Sequence, residues 1–469
     1  MRTTAESDRT AHTRQVQDAD RRFVWHPFTQ HSLWNQTPPM VIERGEREFL
    51  FDSAGNRYID ATSSIWCNIH GHCHPTINAA LVAQLDKIAH STLLGLTGEP
   101  AVRLAERLVD ITPDGLSKVF FSDNGSTAVE VACKMAYAYW HHRGQPERGS
   151  FVALRNAYHG DTIGAVSVGG IDLFHEVYRP LLFPTHFAPS PYCYRCELNK
   201  EPATCGLACA DAVGDLLTQH DGKVAAVIVE PLMQCAAGMI AAPPGHLKRL
   251  RELCDRHDVL LIADEVATGF GRTGAMFACE HEQVVPDFLC LSKGLTGGYL
   301  PLAATLTRDA IYEAFLGPVD AGRTFYHGHT YTGNALGCAV ALASLDVFTQ
   351  EQTLTKLDEK VRRLFDHLAR LARRDEVGDV RQHGLIAGIE IVKHQATREA
   401  YRYGDQIGMR ICAAAREHGV LIRPLADVIV VFPPLSISLE SLDTLMTVID
   451  TCIDEVLREG RPGVVDGLE

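Results

Sequence analysis

The 469-residue sequence has no apolar run long enough to span a membrane. A spanning helix needs about 20 apolar residues, whereas the longest apolar stretches, such as residues 224–229 and 259–263, have the length of strands. The polar N-terminus also lacks the apolar core of a secretory signal peptide. We therefore expect a cytoplasmic protein in which most of the 14 cysteines are reduced thiols.

Basic residues are also in deficit, because 44 lysines and arginines stand against 58 aspartates and glutamates. The resulting net charge of −14 argues against nucleic acid or an anionic membrane as a partner. The sequence lacks internal repeats, low-complexity segments and a marked linker. With 46% apolar and 22% charged residues, the composition excludes disorder, collagen and coiled coil, and indicates one compact globular unit with lobes.

Between about Pro75 and Val340, apolar runs of strand length alternate with helical patterns. Residues 99–111 repeat apolar side chains at the spacing of an amphipathic helix. The apolar runs lack polar alternation, which is typical of strands buried on both faces. The alternation predicts an α/β fold with a mostly parallel sheet covered by helices. Its predicted strands are Lys118–Ser122, Ser150–Leu154, Val224–Glu230, Val259–Glu265 and Phe288–Lys293.

The two ends of the chain have a different pattern. Residues 41–60 predict a strand, a Ser-Ala-Gly-Asn turn and a second strand, and the part after about Leu345 alternates helices and strands as an α+β lobe. We therefore predict three regions. They are an N-terminal segment joining the small domain (1–75), a large domain (76–345) and a C-terminal small domain (346–469).

Two polar residues follow neighbouring predicted strands, namely Asp264 and, 29 residues later, Lys293. Ligand sites of open parallel sheets lie beyond the carboxyl ends of the strands. One interpretation is a surface lysine that pairs by chance with a nearby acid. The other is a lysine that holds pyridoxal phosphate as a Schiff base, with Asp264 keeping the pyridine nitrogen protonated.

A phosphate group would need its own binding site. Gly125 and Ser126 begin a predicted helix directly after a strand, where free backbone amides and the helix dipole favour an anion. Such strand–turn–helix junctions are common, so this signal gains its value from the presence of Asp264 and Lys293.

Longer motifs carry a family resemblance. Residues 264–274 (DEVATGFGRTG), 292–301 (SKGLTGGYLP) and 325–339 (FYHGHTYTGNALGCA) resemble the class III aminotransferases, which are pyridoxal-phosphate enzymes of fold type I. The resemblance runs from Trp25 to about Ile453. It implies a large domain with a mostly parallel sheet, a smaller α+β domain built from both termini, and a homodimer with shared active sites.

Further segments resemble one branch of that family. They are WHPFTQ (25–30), DATSSIWCNIHGHCHP (60–75) and GVLIRPL (419–425). This branch aminates 8-amino-7-oxononanoate (KAPA) to 7,8-diaminononanoate (DAPA) in biotin biosynthesis. Another class III ω-amino acid or diamine aminotransferase is the alternative, although it would not need these segments. A catalytically silent metal- or thiol-binding protein on the same scaffold is a third hypothesis, against which Lys293 argues.

The resemblance implies roles for the catalytic and ring-binding residues. Lys293 forms the Schiff base and afterwards moves the proton between substrate and cofactor. Asp264 pairs with the pyridine nitrogen. Tyr158 stacks on one face of the ring and Val266 packs on the other. An ordinary half-buried tyrosine is the alternative interpretation of Tyr158.

For the phosphate, the resemblance implies binding by Gly125 and Ser126. Thr330 and His329 complete this site and, in the family, come from the partner subunit. The neighbouring Gly328 is assigned to substrate binding.

The remaining implied roles concern the substrate. Trp66 lines the tunnel, unless it is plain core, and Arg423 binds the substrate carboxylate, unless it sits in a surface salt bridge. Glu230 and Gln234 flank the cofactor. We do not assign a metal ligand to the active site, because the family mechanism needs no metal.

Two positions depart from the common form of this branch, which has a tyrosine and a tryptophan where this chain has Phe28 and Ile65. Both lie near the expected donor site. S-adenosylmethionine, the usual donor, and lysine, the donor in a branch with similar substitutions, both stay open.

Two further groups invite a metal interpretation. Cys193, Cys196, Cys205 and Cys209 have a spacing that suits a structural zinc or iron–sulfur site, a redox disulfide or free thiols packed as small hydrophobes, and the sequence leaves these alternatives open. The second group, His70, His72 and His74, is interpreted as structural.

Overall fold

The computed structural model describes residues 4–459. Within this range the chain forms fifteen α-helices, numbered here α1 to α15 in chain order. Their bounds are Thr4–Phe23, His31–Trp34, Ser63–Trp66, Pro75–Leu85, Glu99–Ile111, Gly125–His142, Ile163–Ser167, Asp172–His175, Ala208–Gln219, His246–His257, Asp309–Glu313, Ala335–Gln350, Thr353–Leu371, Ile407–Glu417 and Leu439–Glu459.

The same range contains seventeen strands, numbered β1 to β17. Their bounds are Ile42–Glu46, Phe49–Asp52, Arg57–Asp60, Lys118–Ser122, Ser150–Leu154, Thr185–Ala188, Val224–Val229, Met233–Gln234, Ile240–Ala241, Leu260–Asp264, Phe288–Leu291, Ala303–Thr307, Val377–His383, Ile386–Ile391, Val420–Leu421, Pro424–Leu425 and Val428–Val431.

A seven-stranded sheet forms the centre, in the order β4-β12-β11-β10-β7-β5-β6. Its strands are parallel except for β12, which runs antiparallel to both β11 and β4. The predicted mostly parallel sheet is thus confirmed, and all five predicted strands lie in it. The sequence analysis missed β6 and β12, because four- and five-residue runs without a long apolar stretch give a weak strand signal.

Both faces of this sheet are buried. Along β7, Val227 and Val229 pack into one hydrophobic cluster, whereas Ala226 and Ile228 pack into another on the opposite face. Helix α6 covers the second face, where Ala128 and Trp140 are fully buried. Burial on both faces explains why these strands lack polar alternation in the sequence.

The two ends of the chain meet. Strand β3 pairs in parallel with β15, with Ile59 opposite Val420, and so completes the sheet β1-β2-β3-β15. A second sheet, β13-β14-β17-β16, is antiparallel. The first predicted strand of residues 41–60 is wrong in one respect, because the chain turns back between β1 and β2. The three-region division stays a prediction.

The helices of residues 4–459 were also compared with the requirements of a bilayer. None of them combines the length and the apolar character that a transmembrane helix needs.

Candidate active site

A cavity of about 530 Å³ opens at the carboxyl end of the central sheet. The strands β4, β5, β7, β10 and β11 all end there, and their following loops carry its polar side chains, as expected for an open parallel sheet. The structure therefore brings together most of the predicted site residues. Those lining the cavity are Trp66, Gly125, Ser126, Tyr158, Glu230, Asp264, Val266, Lys293 and Arg423.

The carboxylate of Asp264 lies at the end of β10, where it is almost fully buried. One oxygen, Oδ2, is 2.7 Å from Nδ1 of His159, and Oδ1 accepts a hydrogen bond of 3.1 Å from the backbone amide of Val266. A buried carboxylate is costly unless donors surround it. Its two donors hold Asp264 at the cavity wall.

Lys293 follows the neighbouring strand β11, which pairs in parallel with β10. It is half-buried rather than buried, and within residues 4–459 its amine makes no ion pair or hydrogen bond. Nζ lies 5.1 Å from the centre of the Trp66 ring. The structure therefore does not support a chance ion pair with a nearby acid, and the amine is available to a ligand.

The N-terminus of α6 forms the anion-binding corner. The Asn124 side chain accepts a hydrogen bond from the Thr127 amide at 3.1 Å. The amides of Gly125 and Ser126, which have no acceptor inside the helix, are then available to an anion. A Cβ on Gly125 would lie 2.5 Å from Cγ1 of Val266. Glycine is therefore required for this close approach of α6 to the cavity wall.

Tyr158 follows β5 and lines the cavity together with Val266, which follows β10. Its hydroxyl donates to Asp161 at 2.6 Å, and its backbone amide donates to Glu230 at 3.0 Å. Burial and the bond to Asp161 raise the pKa of Tyr158. The phenol therefore stays neutral and presents a flat ring to the cavity.

Glu230 is the second buried carboxyl of the cavity. Burial raises its pKa to about 7, and the negative charge of Asp264 adds to this, whereas His159 and the amides of Tyr158 and Cys235 act in the opposite direction. Only a few ångströms of chain separate it from the stacking tyrosine, since it holds the Tyr158 amide.

The outer part of the cavity is apolar except for Arg423. Trp66 stacks on Phe432 at 5.5 Å between ring centres. Phe28 and Ile65, the two positions that depart from the common form of the branch, also line the cavity. Arg423, between β15 and β16, makes no ion pair or hydrogen bond within residues 4–459. The surface salt bridge considered for this residue is therefore absent from the described chain.

Other predicted residues do not line the cavity. His329 contacts Asp123 at its edge, and the Thr330 carbonyl accepts a hydrogen bond of 2.8 Å from His90. Gly328 lies on the same segment. Gln234, expected beside the cofactor, is instead buried and bonded to Ser190. That expectation is wrong, since the amide serves the packing of a neighbouring loop.

Three cavity residues were missed in the sequence analysis. His159 follows Tyr158 directly, and its contact with Asp264 could have been suspected from that neighbour. Cys67 and Phe174 gave no signal. They reach the cavity through loops whose course the sequence pattern does not define.

The metal interpretations fare differently. His70, His72 and His74 each have a partner of their own, namely Ser344, Asp60 and Glu351. The four cysteines of residues 193–209 are half-buried. Within residues 4–459, the one set of three metal-binding atoms that all lie within 4.8 Å of one another belongs to His418, Cys452 and Glu455. A metal bound by the four cysteines stays a hypothesis.

The cavity residues fit pyridoxal phosphate. A buried carboxylate suits a protonated ring nitrogen, and an unpaired amine suits an aldehyde. The first turn of α6 suits a phosphate. The tight contact of Gly125 with Val266 leaves the amides of that turn uncovered, because no side chain projects from Gly125.

Comparisons with known proteins agree with this fit. A model of the family described as aminotransferase class-III matches residues 31–453. The adenosylmethionine-8-amino-7-oxononanoate aminotransferase of Geobacter sulfurreducens is 55% identical over 445 residues, which cover 95% of this chain and 98% of that protein.

Solved structures are similar as well. The adenosylmethionine-8-amino-7-oxononanoate aminotransferase of Methanocaldococcus jannaschii superposes with a TM-score of 0.90 at 45% identity, covering 94% of this chain and 99% of that one. A PLP-bound amine transaminase from an uncultivated Pseudomonas species gives a TM-score of 0.88 at 35% identity, covering 92% and 99%.

Proposed function

The chain belongs to the class-III aminotransferases, and from this premise we propose that it transfers an amino group to 8-amino-7-oxononanoate, giving DAPA in biotin biosynthesis. It is a pyridoxal-phosphate-dependent aminotransferase. The substrate assignment is supported chiefly by one observation, namely an apolar cavity that contains Lys293 and ends in the unpaired guanidinium of Arg423. The names of the Geobacter and Methanocaldococcus relatives agree with it.

Pyridoxal phosphate, when bound, supplies an aldehyde that accepts amino groups and a ring that withdraws electrons from the reacting carbon. In the proposal, Nζ of Lys293 binds that aldehyde in the resting enzyme. Once released, the same amine takes and returns the proton at the reacting carbon. The Asp264 carboxylate holds the proton on the ring nitrogen, because it is buried and lies on the cavity wall.

Three other elements would hold the cofactor in place. The amides of Gly125 and Ser126 bind the phosphate at the start of α6. Tyr158 and Val266 enclose the ring from two sides. The Tyr158 hydroxyl is oriented by Asp161, to which it donates at 2.6 Å.

The substrate is a long methylene chain with a carboxylate at one end. Trp66 and Phe28 supply apolar wall for the chain. Arg423 binds the carboxylate, since a planar guanidinium pairs with it in a bidentate manner. The distance from the reacting carbon to the carboxylate is thereby measured by the protein.

For the amino donor we propose S-adenosylmethionine, in agreement with the printed names of the relatives. Lysine is a second candidate. It is favoured by Phe28 and Ile65, which line the cavity where the common form of the branch carries a tyrosine and a tryptophan.

The test is to mix the cofactor-loaded enzyme with each donor separately, follow the loss of cofactor absorbance, and then add KAPA. We expect S-adenosylmethionine to bleach the absorbance and KAPA to restore it. Bleaching by lysine alone would make lysine the donor. If neither bleaches, or KAPA does not restore the absorbance, the KAPA assignment is wrong. Lys293→Ala is the control, which should neither bleach nor turn over while still binding the cofactor noncovalently.

A further inference from the structure

His159 lies between the cofactor-stacking residue Tyr158 and the tight turn at Gly160, which has a φ of +120°. Its side chain is completely buried, and the side chain of Asp264 beside it is 6% exposed. Nδ1 of the imidazole lies 2.7 Å from Oδ2 of the carboxylate. This is the shorter of the two contacts that hold Asp264 from within the described chain.

The direction of this hydrogen bond follows from chemistry. An ionised carboxylate only accepts hydrogen bonds, so Nδ1 of His159 must carry the proton that it donates to Asp264. The other ring nitrogen, Nε2, is buried and has no partner within residues 4–459. The contact with Asp264 is therefore the polar interaction that holds this ring.

The turn after His159 restricts the backbone that carries it. A Cβ on Gly160 would lie 2.0 Å from the Ser126 hydroxyl, and the next amide, of Asp161, donates to that hydroxyl at 3.2 Å. The loop that carries the imidazole is thus tied to the first turn of α6. Both rings of the loop are thereby directed towards the cavity, Tyr158 against its interior and His159 against Asp264.

The neighbouring charges make this donor necessary. Glu230 is a second buried carboxyl, and the charges of Asp264 and Glu230 act on each other unfavourably. Without a donor at Oδ2, the buried carboxylate of Asp264 would keep only the 3.1 Å contact with the Val266 amide. Removing one donor from a buried charge costs more than removing a neutral hydrogen bond.

We propose that His159 is a positioning residue that holds the Asp264 carboxylate ionised and turned towards the cavity, so that the ring nitrogen of bound pyridoxal phosphate stays protonated. This inference rests on the role proposed above for Asp264. It assigns His159 no contact with substrate and no proton transfer.

The experiment uses holoenzyme loaded with pyridoxal phosphate labelled with ¹⁵N in the ring, whose ¹⁵N chemical shift reports the proton on that nitrogen directly. In the wild type we expect the nitrogen to be protonated at neutral pH. In His159→Leu the pH at which half of the nitrogen has lost its proton should fall by about one unit or more, a tenfold loss of proton affinity.

The conservative variant is His159→Asn, because the asparagine amide nitrogen reaches roughly the position of Nδ1. It should recover most of the shift. The matched control is His246→Leu, since His246 is equally buried and lies outside the cavity. It should leave the ¹⁵N titration unchanged, which separates the effect from the general cost of removing a buried imidazole. Thermal unfolding of each apoenzyme checks folding.

The outcomes are distinguishable. An unchanged ¹⁵N titration in His159→Leu, or a loss in His159→Asn as large as in His159→Leu, overturns the role of His159. Asp264→Asn serves as a separate arm. If its ring nitrogen stays protonated as in the wild type, the proposed role of Asp264 itself is wrong. None of these readouts depends on KAPA, so they stand apart from the substrate assignment.

Discussion

At the scale of single residues, the position of Arg423 is the most informative about the substrate. The guanidinium lines an otherwise apolar part of the cavity and has no ion pair within the described residues. A charged group without a partner binds a carboxylate at little cost, because no existing bond has to break. We therefore expect Arg423 to contribute to the recognition of the KAPA carboxylate.

Replacing Arg423 with alanine should raise the KM for KAPA by about tenfold to a hundredfold, the effect of a lost charged hydrogen bond, with a much smaller effect on the donor. Stopped-flow measurement of the two half-reactions separates these effects. Arg103→Ala, which breaks an exposed ion pair with Glu99, is the control and should change neither. Equal losses in both half-reactions would speak against the proposed role.

Glu230 allows a prediction about pH. Burial raises its pKa from 4.5 to about 7, so the folded protein binds this proton more tightly than the unfolded chain does. The stability from this group is therefore present below about pH 4.5 and is lost as the pH rises through 7. Urea unfolding of the apoenzyme at pH 5 and pH 8 should show this loss, and Glu230→Gln should reduce it by roughly 3 kcal/mol at most. A variant with the wild-type pH dependence would contradict the prediction.

At the scale of elements, the junction of β4 with α6 could be anticipated. Both bounds of β4 and the start of α6 follow the sequence pattern, because an apolar run, a polar turn and a helical pattern occur in direct succession. The closeness of α6 to Val266 could not be anticipated. It depends on how the helix packs on the sheet, which involves residues about 140 positions apart.

Gly125→Ala tests this junction. The new methyl group would lie 2.5 Å from Val266, so the start of the helix has to move, and we expect a destabilisation of about 1–3 kcal/mol together with weaker binding of pyridoxal phosphate. Thermal unfolding and cofactor titration measure the two effects. Gly98→Ala, at the start of α5, meets open space and should have little effect. Full recovery of cofactor binding by adding Val266→Ala would show that the steric contact is the cause.

At the scale of the whole molecule, the segments around residues 90–96 and 326–331 expose large apolar side chains. Leu94 is 89% and Tyr326 is 83% exposed. The two segments touch, since His90 packs against Tyr331 with ring centres 5.0 Å apart. An exposed apolar surface of this kind indicates a protein–protein interface. It also adjoins Gly328, His329 and Thr330, which do not line the cavity of their own chain. We propose a homodimer that buries these segments.

Sedimentation at micromolar concentration should therefore give a dimer. Leu94→Glu combined with Tyr326→Glu should shift it towards monomer and weaken cofactor binding, because the phosphate site is completed across the interface in the proposal. A matched double variant on the distant surface, Leu173→Glu with Val177→Glu, should leave the dimer intact. A wild-type monomer with normal cofactor affinity would contradict the proposal.

The sequence by itself determined the local features of this protein. Apolar runs without alternation defined the buried strands, and motifs at their ends named Lys293, Asp264, Tyr158 and Gly125. Such signals involve neighbouring residues and therefore survive in the linear chain. Tertiary structure decided the antiparallel strand β12, the contact of His159 with Asp264, and the absence of Gln234 from the cavity. Each depends on which segments, far apart in the chain, come to share one surface, and local patterning carries no information about that.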